Sequence, residues 1–347
     1  MKTTMKKIKV LVLGQLIEKL TERLAKVAEI DCVEREKALP EDVMLAKLNG
    51  KDAVISEPLD TISSTIMDSC PSLKIIANRA VGFDNVPIPE ATKRDIIVTN
   101  TPGVLDAATA DLAMALLLST TRRVCEADRY VRAGRWSGFK TDLMLGPDFQ
   151  GKTIGIIGMG RIGKAFARRA RAFGLNLIYS RISPPDEADK KLESELEAKR
   201  VELDELLKTS DFISIHCPLN AQTRGLIGKR ELTLLKPECI LINTARGAII
   251  DEPALVSHLV QGKIRGSGLD VFSHEPNVPS ELLAMENVVL LPHIGSACYE
   301  TRFRMSELAV NSIIDAFAGI RPENLVNPDA WDDKKWQVVA TEHANIG

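Results

Sequence analysis

The sequence has no hydrophobic run long enough to cross a membrane. Among its 347 residues no segment approaches 18 consecutive apolar positions, which a transmembrane helix requires. The apolar run at residues 10–13 follows a basic N-terminus, but it is too short for the core of a signal peptide. Six cysteines are scattered without a C-x-x-C pair, which is typical of reduced thiols rather than of a disulfide framework. These absences predict a soluble, cytoplasmic protein.

The sequence also has little net charge. Its 45 Lys and Arg residues nearly balance 47 Asp and Glu residues, giving −2, so the whole-chain charge gives no reason to expect a nucleic acid or a membrane as partner. His216, Cys217, His258 and Cys298 do not have the spacing of a ligand set, and we predict no metal site. With 45% apolar and 27% charged residues the composition is that of a globular chain, and the length favours two domains.

Short apolar runs alternate with helical or turn segments along most of the chain. Runs at residues 8–13, 53–56, 73–77 and 96–99 predict strands of a mostly parallel sheet, with an amphipathic helix over residues 17–28. A second series at residues 153–158, 175–179, 212–216, 239–243, 268–271 and 288–291 predicts the six strands of a doubly wound dinucleotide domain. A single long helix is predicted over residues 106–133, then a loop over 135–150. Another helix is predicted over residues 299–319, and the tail from residue 327 has no clear period.

A glycine motif organises the second series. Gly158, Gly160 and Gly163 follow the apolar run at residues 153–157 in the spacing G-x-G-x-x-G, and a helical pattern comes next. In a dinucleotide site the first glycine allows the tight turn, the second lets the backbone approach a pyrophosphate, and the third lets helix pack on strand. Glycine turns in α/β proteins can also be purely structural. Because strand, loop, helix and second strand follow in register, we interpret the motif as a dinucleotide site.

The end of the second strand predicts which dinucleotide is bound. A carboxylate there would hydrogen-bond the ribose of NAD, but this chain has Ser180 and Arg181, and its next acid is Asp186. An arginine can pair with a 2′-phosphate, which a carboxylate would repel. The alternative is an exposed arginine at a strand end. We predict NADP(H) as the preferred cofactor, with NAD(H) possible.

Three further motifs follow predicted strand ends: N-T-A-R-G at residues 243–247, G-L-D-V-F-S-H-E-P at 268–276, and P-H-I-G-S at 292–296. As an ordered set with the glycine loop they resemble the D-isomer-specific 2-hydroxyacid dehydrogenase family, most closely its NADP-linked glyoxylate/hydroxypyruvate reductases. The resemblance covers roughly residues 8–328.

The resemblance implies catalytic roles for three residues, and reduction of a 2-keto acid needs their chemistry. Arg246 offers a planar, permanently charged fork for the carboxylate and the polarised carbonyl. His293 would be the proton donor. Glu275 on the far ring nitrogen would fix the tautomer and favour the imidazolium. The neighbouring His274 is interpreted as a rim residue.

The resemblance also implies binding residues. The backbone N–H groups of Val81 and Gly82, in the segment N-R-A-V-G-F-D-N, would cradle the substrate carboxylate. Asp270 matches the position that receives the nicotinamide carboxamide, although a capping or turn role is the alternative. Other implied cofactor contacts are Thr109, Arg161, Ile162, Cys217, Pro218, Thr244, Ala245, His293 and Gly295.

The chain path of the family implies two doubly wound parallel-sheet domains. A Rossmann cofactor domain, residues 103–296, would be inserted into a discontinuous, flavodoxin-like substrate domain, residues 1–102 with 297–347, and the active site would lie between them. Residues 106–133 resemble the arm through which family members dimerise, so we expect a homodimer.

Several functions remain open on sequence alone. The favoured one is reduction of glyoxylate or hydroxypyruvate to the D-2-hydroxy acid with NADPH. A 2-ketogluconate or other 2-keto acid reductase is the nearest alternative. Phosphoglycerate oxidation is less favoured because Ile55 and Asn78 stand where its phosphate-binding arginines would align, although Arg79 is adjacent. A nucleotide-sensing corepressor-like protein is disfavoured because the net charge is close to zero and no disordered extension is predicted.

Overall fold

The computed structural model describes residues 7–35, 37–184 and 187–343. The described chain forms two compact units. One unit consists of the described residues up to Leu105 and from Cys298 onward. The other is Asp106–Ala297. Each unit is built around its own parallel sheet, five-stranded in the first and seven-stranded in the second.

The strands of the first sheet are β1 Ile8–Leu13, β2 Ala28–Val33, β3 Ala53–Ser56, β4 Ile75–Asn78 and β5 Ile97–Thr99. Those of the second are β6 Thr153–Ile157, β7 Asn176–Ser180, β8 Lys199–Arg200, β9 Phe212–Ile215, β10 Ile240–Asn243, β11 Gly266–Leu269 and β12 Val288–Leu290.

The helices before β6 are α1 Glu18–Ala25, α2 Glu41–Leu48, α3 Ser64–Ser69, α4 Ile88–Lys93, α5 Asp106–Thr121 and α6 Val124–Arg132. Among the strands of the second sheet lie α7 Arg161–Ala172, α8 Glu187–Leu196, α9 Leu203–Thr209, α10 Lys229–Leu232, α11 Glu252–Val260 and α12 Ser280–Leu283. The last two helices of the described residues are α13 Tyr299–Phe317 and α14 Asp333–Glu342.

The strand orders identify both sheets as doubly wound. The first runs β2-β1-β3-β4-β5, which is the flavodoxin-like order. The second runs β12-β11-β10-β9-β6-β7-β8, which is the Rossmann order with one more strand at the β12 edge. In each sheet the order reverses beside the first strand, β1 or β6. Ligands of open α/β sheets bind outside the carboxyl ends of the strands at that reversal.

Apolar side chains cover both faces of each sheet, as parallel strands require. Along β1, Val10 and Val12 pack into the core that includes α13, whereas Leu11 and Leu13 pack into the core on the opposite face. This period of two explains why β1 is a nearly continuous apolar run: all its residues except Lys9 are buried on one face or the other.

The structure corrects the sequence analysis at three places. The predicted helix over residues 106–133 is two helices, because Arg123 adopts a left-handed conformation with φ of 54° that ends α5. The second sheet has seven strands rather than six, since the two-residue β8 pairs with β7. The strand β2 in the first sheet also went unpredicted.

The tail beyond residue 327 is part of the first unit. Asn327 fixes the chain to β5, accepting a hydrogen bond from Val98 N (2.7 Å) and donating to Ile96 O (2.9 Å). Trp336 on helix α14 packs edge-on against Phe317, with ring centroids 5.6 Å apart. It also stacks on Trp331, with ring centroids 5.1 Å apart. The tail therefore completes the core around α13.

We expect Trp336→Ala to destabilise the protein by about 3–5 kcal/mol, because the side chain is only 4% exposed and its removal leaves a large cavity. The free energy of unfolding, measured by chemical denaturation, checks this. Val338→Ala on the same helix is the control, since Val338 is 60% exposed. A loss below about 1 kcal/mol for Trp336→Ala would show that the tail contributes little to the core.

Within the described residues, no helix is both long enough and apolar enough to cross a membrane.

Candidate active site

The glycine loop joins β6 to α7, and each glycine has its own steric reason. Gly158 has φ of 96°, and a Cβ there would lie 2.5 Å from the backbone nitrogen of Cys217. A Cβ on Gly163 would lie 2.1 Å from the carbonyl oxygen of Gly158. These two positions therefore exclude side chains because backbone approaches backbone.

Gly160 differs, because no described atom lies within 4 Å of the position its Cβ would take. It is the N-cap of α7, and among the described residues no side chain caps this helix end. The first N–H groups of a helix lack partners within the helix and attract anions. An open glycine backbone at a helix start fits a pyrophosphate, so the loop suits a dinucleotide.

The loop is flanked by the first residues of α7. Arg161 is exposed and lies 3.6 Å from the Asp106 carboxylate at the start of α5, whereas Ile162 is half-buried. Arg168, Arg169 and Arg171 pair with acidic residues, which accords with a solvated face for this helix.

Ser180 and Arg181 lie at the carboxyl end of β7, next to the glycine loop. The carbonyl oxygen of Ser180 accepts a hydrogen bond from Gly158 N (2.8 Å). Arg181 donates to Ser183 Oγ from Nε (3.0 Å) and Nη2 (2.7 Å). A second guanidinium reaches this strand end from β8, where Arg200 donates to Arg181 O (3.3 Å). Asp186, the next acid in the sequence, is outside the described residues.

Cys217 and Pro218 follow β9 on the other side of the loop. Cys217 is buried, and burial raises the pKa of its thiol to about 11, so the thiol stays neutral. Pro218 is exposed and its carbonyl accepts from Thr223 Oγ1 (2.6 Å). Before them, burial lowers the pKa of His216 to about 3, and its Nε2 contacts Ser214 Oγ (2.8 Å). The neutral imidazole is a packing element beneath the loop.

The N-T-A-R-G segment begins at the end of β10. Asn243 shapes its turn, since Oδ1 accepts from Ala245 N (3.0 Å) and Nδ2 donates to Arg246 O (2.9 Å). The half-buried Arg246 donates from Nη1 to Ala245 O (2.9 Å). A Cβ on Gly247 would lie 2.0 Å from the backbone carbon of Phe272, so this glycine lets the segment pack on the next motif.

Thr244 in the same segment has a buried hydroxyl oxygen with no hydrogen-bond partner among the described residues. An unpartnered buried hydroxyl at a strand end is costly unless a ligand or a water satisfies it. Its place fits a contact to a bound dinucleotide.

Glu275 and His293 form a contact between the second and third motifs. Glu275 Oε2 lies 2.7 Å from His293 Nδ1, and Glu275 Oε1 accepts from Phe272 N (3.0 Å). An ionised carboxylate can only accept, so Nδ1 carries the proton in this contact and Nε2 is left for chemistry. The Glu275 side chain is 9% exposed and that of His293 is 25% exposed. The buried carboxylate thus holds an accessible ring.

Asp270, at the end of β11, supports the backbone around His293. Its carboxylate accepts hydrogen bonds from Ile294 N (2.7 Å) and Gly295 N (2.8 Å), and its carbonyl accepts from His293 N (2.9 Å). Burial raises the pKa of the Asp270 carboxyl, an effect that these N–H bonds oppose. His293 itself has φ of 53°, a left-handed conformation that this framework holds. The turn role that the sequence left open for Asp270 is therefore present in the structure.

Thr109 lies beside the same turn. A Cβ on Gly295 would come 3.3 Å from Asp270 Oδ2 and 3.6 Å from Thr109 Oγ1. The structure thus brings Thr109, Asp270, His293 and Gly295 together in one unit.

Val81 and Gly82 lie in the loop after β4 of the other unit, where two asparagine amides, one buried and one half-buried, hold the backbone. Asn78 Nδ2 donates to Gly82 O (2.9 Å) and Asn100 Nδ2 donates to Val81 O (2.8 Å). Both loop residues are half-buried. Their carbonyl groups are thus engaged within the unit.

Arg79 is the residue that kept phosphoglycerate oxidation open. Its guanidinium is buried within its unit, where Nη1 donates to Gln15 O (2.9 Å) and Ser306 Oγ (3.1 Å). Nη2 donates to Leu13 O (3.3 Å) and pairs with Glu57. The side chain is a structural element of the first unit, 8% exposed as a residue.

Comparison with known proteins agrees with this arrangement. Residues 114–295 match the model of the D-isomer specific 2-hydroxyacid dehydrogenase, NAD binding domain. A glyoxylate reductase of Thermococcus litoralis is 48% identical over 328 residues, which is 93% of this chain and 98% of that protein. The chain belongs to the D-isomer specific 2-hydroxyacid dehydrogenase family. It is therefore an oxidoreductase with a NAD-binding domain, as the sequence motifs predicted.

Solved structures of D-2-hydroxyacid dehydrogenases share the fold. The glyoxylate reductase of Paecilomyes thermophila is 34% identical with a TM-score of 0.82, covering 94% of this chain and 100% of that one. The NADPH-dependent glyoxylate/hydroxypyruvate reductase of Sinorhizobium meliloti, in complex with NADP and malonate, is 35% identical with a TM-score of 0.81. It covers 94% of this chain and 98% of that one.

Sequence reasoning about this dehydrogenase missed Arg200 and the amides of Asn78 and Asn100. Arg200 lies on a two-residue strand without an apolar run, so nothing in the sequence placed it beside Arg181. The N-T-P and N-R-A-V-G segments do contain the asparagines, whose side chains commonly bond nearby backbone. Among the described residues, no group of three or more His, Cys, Asp or Glu side chains could hold a metal ion.

Proposed function

We propose that this dehydrogenase reduces glyoxylate or hydroxypyruvate to the D-2-hydroxy acid with NADPH. The observation that carries the proposal is the 2.7 Å contact between Glu275 and His293, next to the loop that presents Arg246. Reduction of a 2-keto acid needs a proton donor and a cation for the carbonyl oxygen. Glu275 contacts Nδ1 of His293 and so fixes which ring nitrogen faces away from it.

In the proposed mechanism a bound nicotinamide supplies the hydride. Arg246 binds the keto acid and polarises its carbonyl, because the guanidinium concentrates positive charge where negative charge develops. His293 then gives the proton on Nε2 to the new alkoxide, and Glu275 stabilises the imidazolium before transfer. The backbone N–H groups of Val81 and Gly82 bind the substrate carboxylate.

The same proposal assigns the cofactor. Gly158, Gly160 and Gly163 with Arg161 and Ile162 hold the pyrophosphate, and Ser180 and Arg181 hold the 2′-phosphate. Cys217, Pro218, Thr244, Ala245 and the Thr109–Asp270–Gly295 group line the rest of the cofactor. Support for NADPH over NADH comes from the cationic end of β7, where Arg200 adds a second guanidinium. The unit containing β6–β12 is thus the proposed cofactor domain, and the unit containing β1–β5 the proposed substrate domain.

The buried position of Arg79 supports a small keto acid over phosphoglycerate. Its guanidinium is engaged by Gln15, Leu13, Glu57 and Ser306, so binding a phosphate would require breaking those contacts. A 2-ketogluconate or other 2-keto acid remains the alternative substrate.

We further propose a homodimer. The arm formed by α5 and α6 carries the exposed apolar side chains Val124 and Val131, and the loop that follows carries Trp136, Phe139 and Leu145, which is 65% exposed. Exposed apolar groups clustered along one segment are typical of a protein interface. Light scattering of the purified protein tests this.

A substrate panel tests the proposed activity. The value of kcat/KM for glyoxylate, hydroxypyruvate, 2-ketogluconate and phosphohydroxypyruvate is measured with NADPH and with NADH. The proposal expects one of the first two to be preferred, with NADPH. Highest activity on phosphohydroxypyruvate, or no turnover of any keto acid, would overturn it.

We expect Arg246→Lys to lower kcat/KM for the keto acid by roughly ten- to a hundredfold, with both kcat and KM worsened. The charge survives, but the paired donors are lost, and hydrogen bonds to charged groups are worth about 1.5–3 kcal/mol. Steady-state kinetics with saturating NADPH measure it. The exposed Arg265→Lys in the same unit is the control. Unchanged kcat and KM for Arg246→Lys would remove Arg246 from the proposed site.

A further inference from the structure

The backbone of the loop containing Val81 and Gly82 is held through its carbonyl oxygens. Thr101 N donates to Ala80 O (2.9 Å), and Asn100 Nδ2 donates to Val81 O (2.8 Å). Two consecutive carbonyls are therefore fixed by two consecutive residues of the segment after β5.

Fixing a carbonyl also fixes the N–H group of the next residue, because both belong to one planar trans peptide and point in opposite directions. Holding Ala80 O thus orients the N–H of Val81, and holding Val81 O orients the N–H of Gly82. No hydrogen-bond acceptor for either N–H group is found among the described residues. Two successive N–H groups without an acceptor among the described residues can form an anion-binding nest.

The segment that holds the loop is itself held by the returning C-terminal part of the chain. Asn324 donates from Nδ2 to Asn100 O (2.5 Å), and its carbonyl accepts from Asn100 N (3.3 Å). Asn324 Oδ1 in turn accepts from Ser312 Oγ (3.0 Å) on α13. A continuous chain of hydrogen bonds runs from α13 through Asn324 and Asn100 to Val81.

We propose that Asn100, held by Asn324, is a positioning residue for the substrate carboxylate. It touches neither substrate nor cofactor in this scheme; it aims the Gly82 N–H by binding the opposite end of the same peptide. The inference rests on the proposed role of Val81 and Gly82. It adds that two asparagines influence the affinity for the carboxylate. Asn324 does so although it lies 224 residues after Asn100 in the chain.

Neutral amides suit this task. A lysine or arginine at position 100 would itself attract the carboxylate, whereas an amide donates to the carbonyl without adding charge. The bound carboxylate is then recognised by backbone dipoles with fixed directions. Such preorganised donors bind without the cost of ordering the loop.

The test uses Asn100→Asp and Asn324→Ala in the complete chain. The aspartate has nearly the same shape as asparagine but cannot donate, so Val81 O loses its partner and the packing is kept. We expect KM for glyoxylate to rise about tenfold for Asn100→Asp, since a bond to a charged group is weakened, with kcat within about threefold. Asn324→Ala should raise KM in the same direction by less.

Two further readouts separate positioning from general damage. The Kd of oxalate, a carboxylate that cannot be reduced, is measured by calorimetry with NADPH present and should rise in parallel with KM. The KM for NADPH and the melting temperature should stay near wild type. Because both residues act through one peptide, the double variant should lose less than the product of the single losses.

Asn176→Ala is the matched control, since its amide likewise donates to a backbone carbonyl, Gly151 O (3.0 Å), in the other unit. Unchanged KM and oxalate affinity in Asn100→Asp, with the wild type active on glyoxylate, would overturn the inference. A wild type that is inactive on glyoxylate but binds oxalate, with an affinity that Asn100→Asp weakens, would instead count against the proposed function alone. If Asn100→Asp does not fold, the same readouts on Asn324→Ala decide.

Discussion

Replacing His293 by glutamine is expected to lower kcat by 10²- to 10⁴-fold while leaving dinucleotide binding unchanged. The glutamine amide can still contact Glu275, but it cannot deliver a proton to the alkoxide, and general acid catalysis contributes that range. The measurement is kcat at saturating glyoxylate and NADPH, with the Kd for NADPH from fluorescence titration. A primary isotope effect with deuterated NADPH shows whether hydride transfer limits the rate.

The sequence supplies a matched control in His274, which is exposed and precedes Glu275. His274→Gln makes the same chemical change within twenty residues of His293, and we expect kcat within about twofold of wild type. A loss below tenfold for His293→Gln, with hydride transfer limiting, would mean that another group donates the proton.

The sequence predicted strands such as β3, whose side chains are buried on both faces of the sheet. β3 was found as the run at residues 53–56 because all four of its residues are buried and apolar or small. β2 was missed because it interleaves Glu29 and Asp31 with apolar residues at the edge of its sheet. β8 was missed because it has only two residues, both charged and exposed. These two edge strands carry a weak apolar signal, whereas the edge strands β5 and β12 are apolar and were predicted.

The break between α5 and α6 had no local signal either. The residues around Arg123 include neither glycine nor proline, the usual marks of a helix end. In the structure the backbone of the later loop approaches α5 so closely that a Cβ on Gly146 would lie 2.0 Å from Thr121 O. The end of α5 therefore coincides with a contact to a residue more than twenty positions later. The local sequence around Arg123 does not predict such a contact.

The place of the candidate site residues along the chain follows from the parallel sheet itself. Arg246, Glu275 and His293 each stand in a short motif just after a parallel strand, and strands of a parallel sheet end at the same edge. What the motifs did not contain is how each side chain is held. Asp270 binds Ile294 N and Gly295 N, which requires the turn after β12 to be known first. The hydrogen bond from the Asn100 amide to Val81 O likewise cannot be predicted until the loop after β4 is known to lie beside it.

Cofactor choice gives the second large expected effect, through Ser180 and Arg181. In the NADPH proposal the 2′-phosphate accepts charge-assisted hydrogen bonds from Arg181 and a weaker one from Ser180. Losing the Arg181 contacts should cost about 1.5–3 kcal/mol, which is roughly a ten- to hundredfold loss in NADPH affinity. NADH has no 2′-phosphate, so Arg181→Ala should leave its binding nearly unchanged. The ratio of kcat/KM for NADPH over NADH should therefore fall by that factor.

Two variants around Arg181 sharpen the measurement. Ser180→Asp should lower the ratio further, because a carboxylate repels the 2′-phosphate and offers the ribose of NADH an acceptor. Arg200→Ala should lower it by only a few-fold, since Arg200 is exposed and exposed charge pairs are worth about 0.2–1 kcal/mol. Arg224→Ala, an exposed arginine elsewhere in the same unit, is the control. A wild type that prefers NADH, or a ratio that Arg181→Ala leaves unchanged, would assign the end of β7 to NAD instead. The ratio should therefore fall most for Ser180→Asp, less for Arg181→Ala and least for Arg200→Ala. Only direct recognition of the phosphate predicts this order, because a general loss of folding would lower activity with both dinucleotides alike.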